Sequence, residues 1–144
     1  KALGRRFPER RIWAIFEPRS NTTRRNHFQL ELAEALRLAK RVVVAEVARL
    51  EQVPPEERLN PTQLMADIRA VGTEADYLPT ADEIVAHVAP QTQPGDILCV
   101  LSNGGFDNIH QKLLDALNAR SFGQTAAFFC TIFIRFSPLT IGWA

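Results

Sequence analysis

Apolar residues in this chain cluster in short unbroken runs. Ile12-Trp13-Ala14-Ile15-Phe16, Val42-Val43-Val44-Ala45 and Ile97-Leu98-Cys99-Val100-Leu101 show no polar alternation. Such runs fit parallel strands whose two faces are both covered. Ala75 to Leu78 reads as a weaker strand. Between the runs, apolar positions recur at helical spacing. Phe28, Leu32, Leu36 and Ala39 predict a helix within His27 to Lys40, and Ile109, Leu113, Leu114 and Leu117 predict another.

Capping chemistry places two more helices. Asn60-Pro61 opens one whose apolar face is Leu64, Met65 and Ile68, and Gly72 can close it. Thr80-Ala81-Asp82-Glu83 is a capping box ahead of Ile84, Val85 and Val88, with Pro90 helping to end that helix. Val47 to Leu59 carries Pro54-Pro55 and glutamates and reads as an irregular excursion. Pro94-Gly95-Asp96 is a turn. Alternating strands and helices predict an α/β domain: three layers, Rossmann-like, with a mostly parallel sheet flanked by helices.

Two loops then follow strand ends that should share one edge of the sheet, where open α/β folds bind ligands. The first is Pro18 to Asn26, carrying Arg19, Ser20, Asn21 and Thr22. Its arginine suits a carboxylate or phosphate, which the planar guanidinium holds with paired hydrogen bonds. The second is Ser102-Asn103-Gly104-Gly105-Phe106. Glycine there permits positive φ and close backbone approach. The next helix, expected to start near Asp107 or Asn108, could offer free N–H groups to an anion. The alternative is a strand-to-helix turn that needs glycine for geometry alone. His110 either contacts a ligand from the first helical turn or caps a surface; His27 and His87 read as structural.

Composition narrows the function less. The sequence has 144 residues, a formal net charge of +1 and 46% hydrophobic residues, which fits one globular domain and gives no case for a nucleic-acid or membrane partner. Arg5, Arg6, Arg10, Arg11, Arg19, Arg24 and Arg25 form a local basic cluster, read as a solvated face over an anion-collecting rim. Cys99 reads as a small core residue. Cys99 and Cys130 fit no metal or disulfide pattern, which suits a reducing cytoplasm. No phosphate loop, nucleophile triad or metal cluster is present in the sequence. Ala126 to Ile134 is too short to span a membrane. It reads equally as an added edge strand, through which a homodimer could form, and as a non-native extension.

Taken together, Phe16-Glu17-Pro18-Arg19-Ser20-Asn21-Thr22, Pro94-Gly95-Asp96, Leu101-Ser102-Asn103-Gly104-Gly105-Phe106 and Ile109-His110-Gln111-Lys112-Leu113-Leu114 resemble the C-terminal domain of the Mur ligase family. The resemblance covers about Leu3 to Leu117. It divides the chain into a ligase C-terminal domain at 1–122 and an apolar tail at 123–144. It implies a bacterial cytoplasmic ligase that uses ATP to phosphorylate the carboxylate of a UDP-sugar and then forms an amide. Where L-alanine-adding members carry Pro-His-Arg-Tyr-Thr, this chain has Pro18-Arg19-Ser20-Asn21-Thr22. That implies the recycling branch, which joins a murein tripeptide to UDP-N-acetylmuramate.

By motif position, Arg19, Ser20 and Asn21 would face nucleotide phosphates or the acyl phosphate. Ser102, Asn103, Gly104, Gly105 and Phe106 would face the incoming peptide. ATP and Mg2+ would be bound mainly by a domain outside this sequence, with no cofactor held by this stretch itself. The Asp-Asp-Phe-Ala-His-His-Pro-Thr motif expected at the start of the family's C-terminal domain is missing here. The expectation is therefore a chain inactive by itself. The competing expectation is a free-standing α/β module that binds a small anion without catalysis.

Overall fold

The computed structural model describes residues 10–20, 22–93, 95–102, 104–119 and 128–132; for 128–132 it describes the backbone alone. Five strands form one sheet: β1 Ile12–Phe16, β2 Arg41–Ala45, β3 Glu74–Leu78, β4 Ile97–Leu101 and β5 Phe128–Ile132. All neighbouring pairs are parallel, in the order β3-β2-β1-β4-β5. The helices are α1 Gln29–Leu36, α2 Pro61–Arg69, α3 Ala81–Val88 and α4 Ile109–Ala119.

The absence of alternation in the apolar runs now has its cause. Ile12, Ala14 and Phe16 point to one face with Val42, Val44, Ile97, Cys99 and Leu101, and α1 and α2 cover them with Leu32, Leu36, Leu64 and Ile68. Trp13, Ile15, Val43, Leu98 and Val100 point to the other, under Ile84 and Val88 of α3 and Ile109, Leu113 and Leu117 of α4. Successive strand side chains alternate between two cores, so both sets must be apolar. The result is the three-layer, doubly wound arrangement the sequence predicts.

Local chemistry sets the element ends. Asn60 accepts a hydrogen bond from the Gln63 amide, and Thr80 and Glu83 form the reciprocal capping box. Gly72 takes φ +86° directly after α2 and its turn. The first helix is shorter than its apolar spacing predicts: it spans Gln29–Leu36, and Leu38 and Ala39 continue as turns, with Lys40 donating its amide to Ile12. Phe28 sits at the helix N-cap without a capping side chain.

The N-terminal strand edge is tied by Asp96. Its carboxylate accepts from Arg11 Nε at 3.1 Å, Trp13 Nε1 at 3.0 Å and the Gln93 amide at 2.9 Å, and it pairs with the Arg11 terminal nitrogen at 2.6 Å. Asp96 is buried. Arg11 of the basic cluster is thus a structural clamp.

Strand β5 adds an edge parallel to β4, with Ile97 opposite Phe128 and Leu101 opposite Ile132. The rest of the apolar tail, 123–127 and 133–144, lies outside the described residues.

Candidate functional site

The strand order fixes where a ligand can enter. The chain winds from β1 outward to β2 and β3, then crosses back to place β4 on the other side of β1. The loops leaving β1 and β4 therefore lead to helices on opposite faces of the sheet, the arrangement that in open α/β folds puts the ligand site at those carboxyl ends. Both sequence-predicted loops leave those two strands.

They are in direct contact. The Glu17 amide donates to Leu101 O at 3.0 Å. Glu17, whose side chain is mostly buried, accepts a hydrogen bond from the Ser102 hydroxyl at 2.8 Å on Oε1. The same oxygen lies 3.9 Å from an Arg19 terminal nitrogen. Ser102 Oγ in turn accepts from the Gly104 amide at 3.0 Å. Arg19 lies across Gly104: a Cβ there would stand 2.6 Å from both Cδ and Nε of the arginine. Glycine at 104 is what lets the two loops close on each other.

Around this contact, each predicted residue has a definite place. The Arg19 side chain is 41% exposed, and among the described residues its guanidinium makes no hydrogen bond. Ser20 is otherwise engaged: its hydroxyl lies 2.8 Å from Thr23 Oγ1 and accepts the Thr23 amide at 3.0 Å, while its carbonyl accepts from the Arg24 amide at 3.1 Å. That closed turn shapes the loop rather than presenting a free donor. Thr22 is half-buried beside it, and Asn21 and Asn103 lie outside the described residues.

The glycine loop departs from expectation in two respects. Ser102 and Phe106 are each 2% exposed, so their side chains face inward, and Phe106 joins the core under α3 and α4. Among the described residues of this loop, the Gly104-Gly105 backbone is what remains to meet a ligand. The left-handed conformations do not fall on the glycines: Gly105 has φ −72°, while Phe106, Asp107 and Asn108 have φ +46°, +48° and +57°. Asp and Asn are the non-glycine residues that best tolerate this region. Helix α4 consequently starts at Ile109, later than predicted, and His110 sits half-buried in its first turn. Lys112 bridges Asp107 at 2.7 Å and Asp82 at 2.9 Å, clamping the left-handed turn to α3. The Asp107 hydrogen bond, then that of Asp82, raises the lysine pKa above its ordinary value.

What the sequence missed is the support under Arg19. The Ala48 amide donates to Pro18 O at 3.1 Å, and Arg24 donates to Arg49 O at 3.0 Å and Gln52 Oε1 at 3.2 Å. Arg25 pairs with Glu57, and Arg25 and Arg58 form an isolated antiparallel bridge. The Val47 to Leu59 excursion is the buttress of the first loop. Val47, Val53 and Leu59 anchor it by burial. Arg24 and Arg25 are structural, so the basic cluster divides: these two, Arg11 and Arg10, which donates to Gly95 O at 3.3 Å, hold the fold, Arg19 lies at the loop contact, and Arg5 and Arg6 lie outside the described residues.

A separate hollow of about 460 Å³ lies near the amino ends of β2 and β3. Its polar groups are already engaged: Arg41 pairs with Glu74 at 2.8 Å, His87 hydrogen-bonds Asp76 at 3.0 Å, and Arg69 Nε donates to Ala75 O at 2.9 Å. The loop contact at the carboxyl ends of β1 and β4 is the better candidate.

Comparison with known proteins establishes the family. Residues 1–104 match the family described as Mur ligase, glutamate ligase domain. The chain belongs to the Mur ligase family, as its C-terminal domain. This Mur ligase domain is 36% identical over 107 residues to the UDP-N-acetylmuramate–L-alanyl-γ-D-glutamyl-meso-2,6-diaminoheptandioate ligase of Escherichia coli, covering 74% of this chain and 21% of that protein. The ligase of the same description from Haemophilus influenzae is 32% identical, with 76% of this chain and 22% of that protein covered. The chain thus spans about a fifth of the curated relatives it matches. Among solved structures, a murein peptide ligase from Psychrobacter arcticus aligns with TM-score 0.63 and 30% identity over 81% of this chain and 23% of that one. A solved domain from Haemophilus ducreyi, assigned to a ligase of the same substrate, aligns with TM-score 0.56 and 31% identity over 81% of this chain and 76% of that one.

Proposed function

We propose that this Mur ligase domain closes over the reaction site of an ATP-dependent ligase that joins a murein tripeptide to UDP-N-acetylmuramate in cell-wall recycling. The observation that carries the reading is the contact between the β1 and β4 loops, with the exposed Arg19 guanidinium resting on the backbone of Gly104. Arg19 would hold a phosphate oxygen of the nucleotide or of the acyl phosphate, where negative charge develops during amide formation. The Gly104-Gly105 backbone, free of side chains, would lie against the incoming peptide. Similarity to tripeptide ligases of two organisms supports the choice of amine.

The residues here fit a phosphate group better than a metal. Arg19 offers an exposed guanidinium to an anion, whereas among the described residues no group of three or more His, Cys, Asp or Glu side chains could hold an ion. ATP supplies the phosphoryl group that activates the carboxylate. This chain would orient and neutralise charge, and the main nucleotide cradle and Mg2+ would belong to the rest of the ligase. Such a protein would work in the bacterial cytoplasm, where its nucleotide substrates are. Among the described residues no helix is long and apolar enough to cross a membrane.

The test is product formation by the full-length protein. With UDP-N-acetylmuramate, ATP and Mg2+, phosphate release should depend on the murein tripeptide and be far slower with L-alanine, and the chain alone should release none. Release driven by L-alanine in preference to tripeptide, or turnover by the chain alone, would contradict the assignment.

A further inference from the structure

Glu17 stands at the centre of the loop contact, although nothing in the pattern of apolar strands or in the arginine itself calls for a carboxylate there. It occupies the first position after β1, and its side chain is 13% exposed. A carboxylate withdrawn from water needs partners to offset its desolvation. Among the described residues it has two, one from each loop, and both meet the same oxygen: the Ser102 hydroxyl at 2.8 Å and an Arg19 terminal nitrogen at 3.9 Å. Ser102 passes the connection on by accepting the Gly104 amide at 3.0 Å. Arg19 closes the ring by lying on Gly104.

The two partners differ in kind. The Ser102 bond is short and fixes the β4 loop. The Arg19 pair, at the long limit of an ion pair, aims the guanidinium without consuming its hydrogen-bond donors. We propose that Glu17 is a positioning residue that presets Arg19 and the glycine loop relative to each other, coupling the phosphate-binding side of the site to the peptide-binding side. This rests on the ligase reading given above. Its chemical content is specific. Removing the charge while keeping an acceptor should loosen Arg19 and leave the Ser102–Gly104 link in place. Removing the Ser102 hydroxyl should do the reverse.

The experiment is a double-mutant cycle in the full-length ligase, with kcat and the tripeptide KM read separately. Glu17→Gln retains an oxygen for Ser102 and is expected to lower kcat about tenfold with tripeptide KM changed less than about twofold. In an Arg19→Ala background the same substitution is expected to cost less than about twofold, because its effect runs through the arginine. Ser102→Ala is expected to raise tripeptide KM about five- to tenfold with a smaller change in kcat. A Glu17→Gln loss that persists undiminished in the Arg19→Ala background overturns the proposal, as does wild-type behaviour of Glu17→Gln where Arg19→Ala is impaired. Either result leaves the ligase assignment standing. Unimpaired Arg19→Ala would instead remove the role given to the arginine, and this proposal with it. Should Glu17→Gln not accumulate as folded protein, the Ser102→Ala arm still decides: a fall in kcat at unchanged tripeptide KM contradicts the coupling.

Discussion

Replacing Arg19 by alanine in the full-length ligase is expected to lower kcat/KM for ligation ten- to a hundredfold, a loss of about 1.5–3 kcal/mol of transition-state stabilisation. The size follows from what the guanidinium is free to do. Its side chain is 41% exposed and makes no hydrogen bond among the described residues, so deletion costs the fold only the long 3.9 Å ion pair with Glu17 and the packing over Gly104. The fold should survive, and the loss should appear in the chemistry. Arg19→Lys separates charge from shape: it keeps the cation but loses the planar fork, so it should recover only part of the rate. Steady-state kinetics of the three proteins, with thermal unfolding as a control, measures this. Near-normal kcat/KM for Arg19→Ala would refute the assigned role.

The largest effect on stability is expected at the opposite end of the sheet. Asp96→Ala should cost about 2–4 kcal/mol, because it leaves the Arg11 guanidinium, the Trp13 indole N–H and the Gln93 amide without the acceptor they share. Asp96 is buried, but Arg11 is partly exposed, so water can recover some of the lost solvation. That places the expectation below the full penalty for an orphaned buried charge. Set against typical domain stabilities of about 5–15 kcal/mol, it is a large fraction. Asp96→Asn can keep its single oxygen for Trp13 and Gln93, which meet the same carboxylate oxygen, but it loses the charge and sets an amide N–H2 against Arg11 Nε, so it should cost less than Asp96→Ala without being neutral. Urea unfolding of the purified chain checks both. Equal losses for Ala and Asn would locate the stabilisation in charge alone, against the shared-acceptor account.

The physical levels differed in how far the sequence revealed them. Runs such as Val42-Val43-Val44-Ala45 and Ile97 to Leu101 declare a two-faced parallel sheet because a strand covered on both sides has no use for polar residues. The Asn60 and Thr80 caps were equally legible, since local backbone geometry determines them. The two loops were legible as sharing one edge because parallel strands end on the same side of the sheet; that their strands are neighbours came only with the strand order. Their internal wiring was not. Whether Ser102 points in or out depends on its distance to Glu17, a contact across 85 positions of chain. Phe106 looks like a ligand-facing aromatic beside two glycines, yet a left-handed turn carries its ring into the core. The irregular stretch Val47 to Leu59 has no periodicity to read, and its service to the Arg19 loop emerges only through Arg24, Arg25 and Pro18. A carboxylate immediately ahead of Pro18-Arg19 was the available signal for Glu17.

The central claim is that the two loops hold the two reacting partners side by side, Arg19 on a phosphate and the glycine loop on the peptide. The most direct measurement is a crystal structure of the full-length ligase with UDP-N-acetylmuramate, a nonhydrolysable ATP analogue and the murein tripeptide. The prediction places the Arg19 guanidinium within hydrogen-bonding distance of a phosphate oxygen, roughly 2.7–3.2 Å, with the Gly104-Gly105 backbone against the tripeptide. A closed, fully liganded complex in which Arg19 points to solvent and the glycine loop touches neither substrate would contradict it.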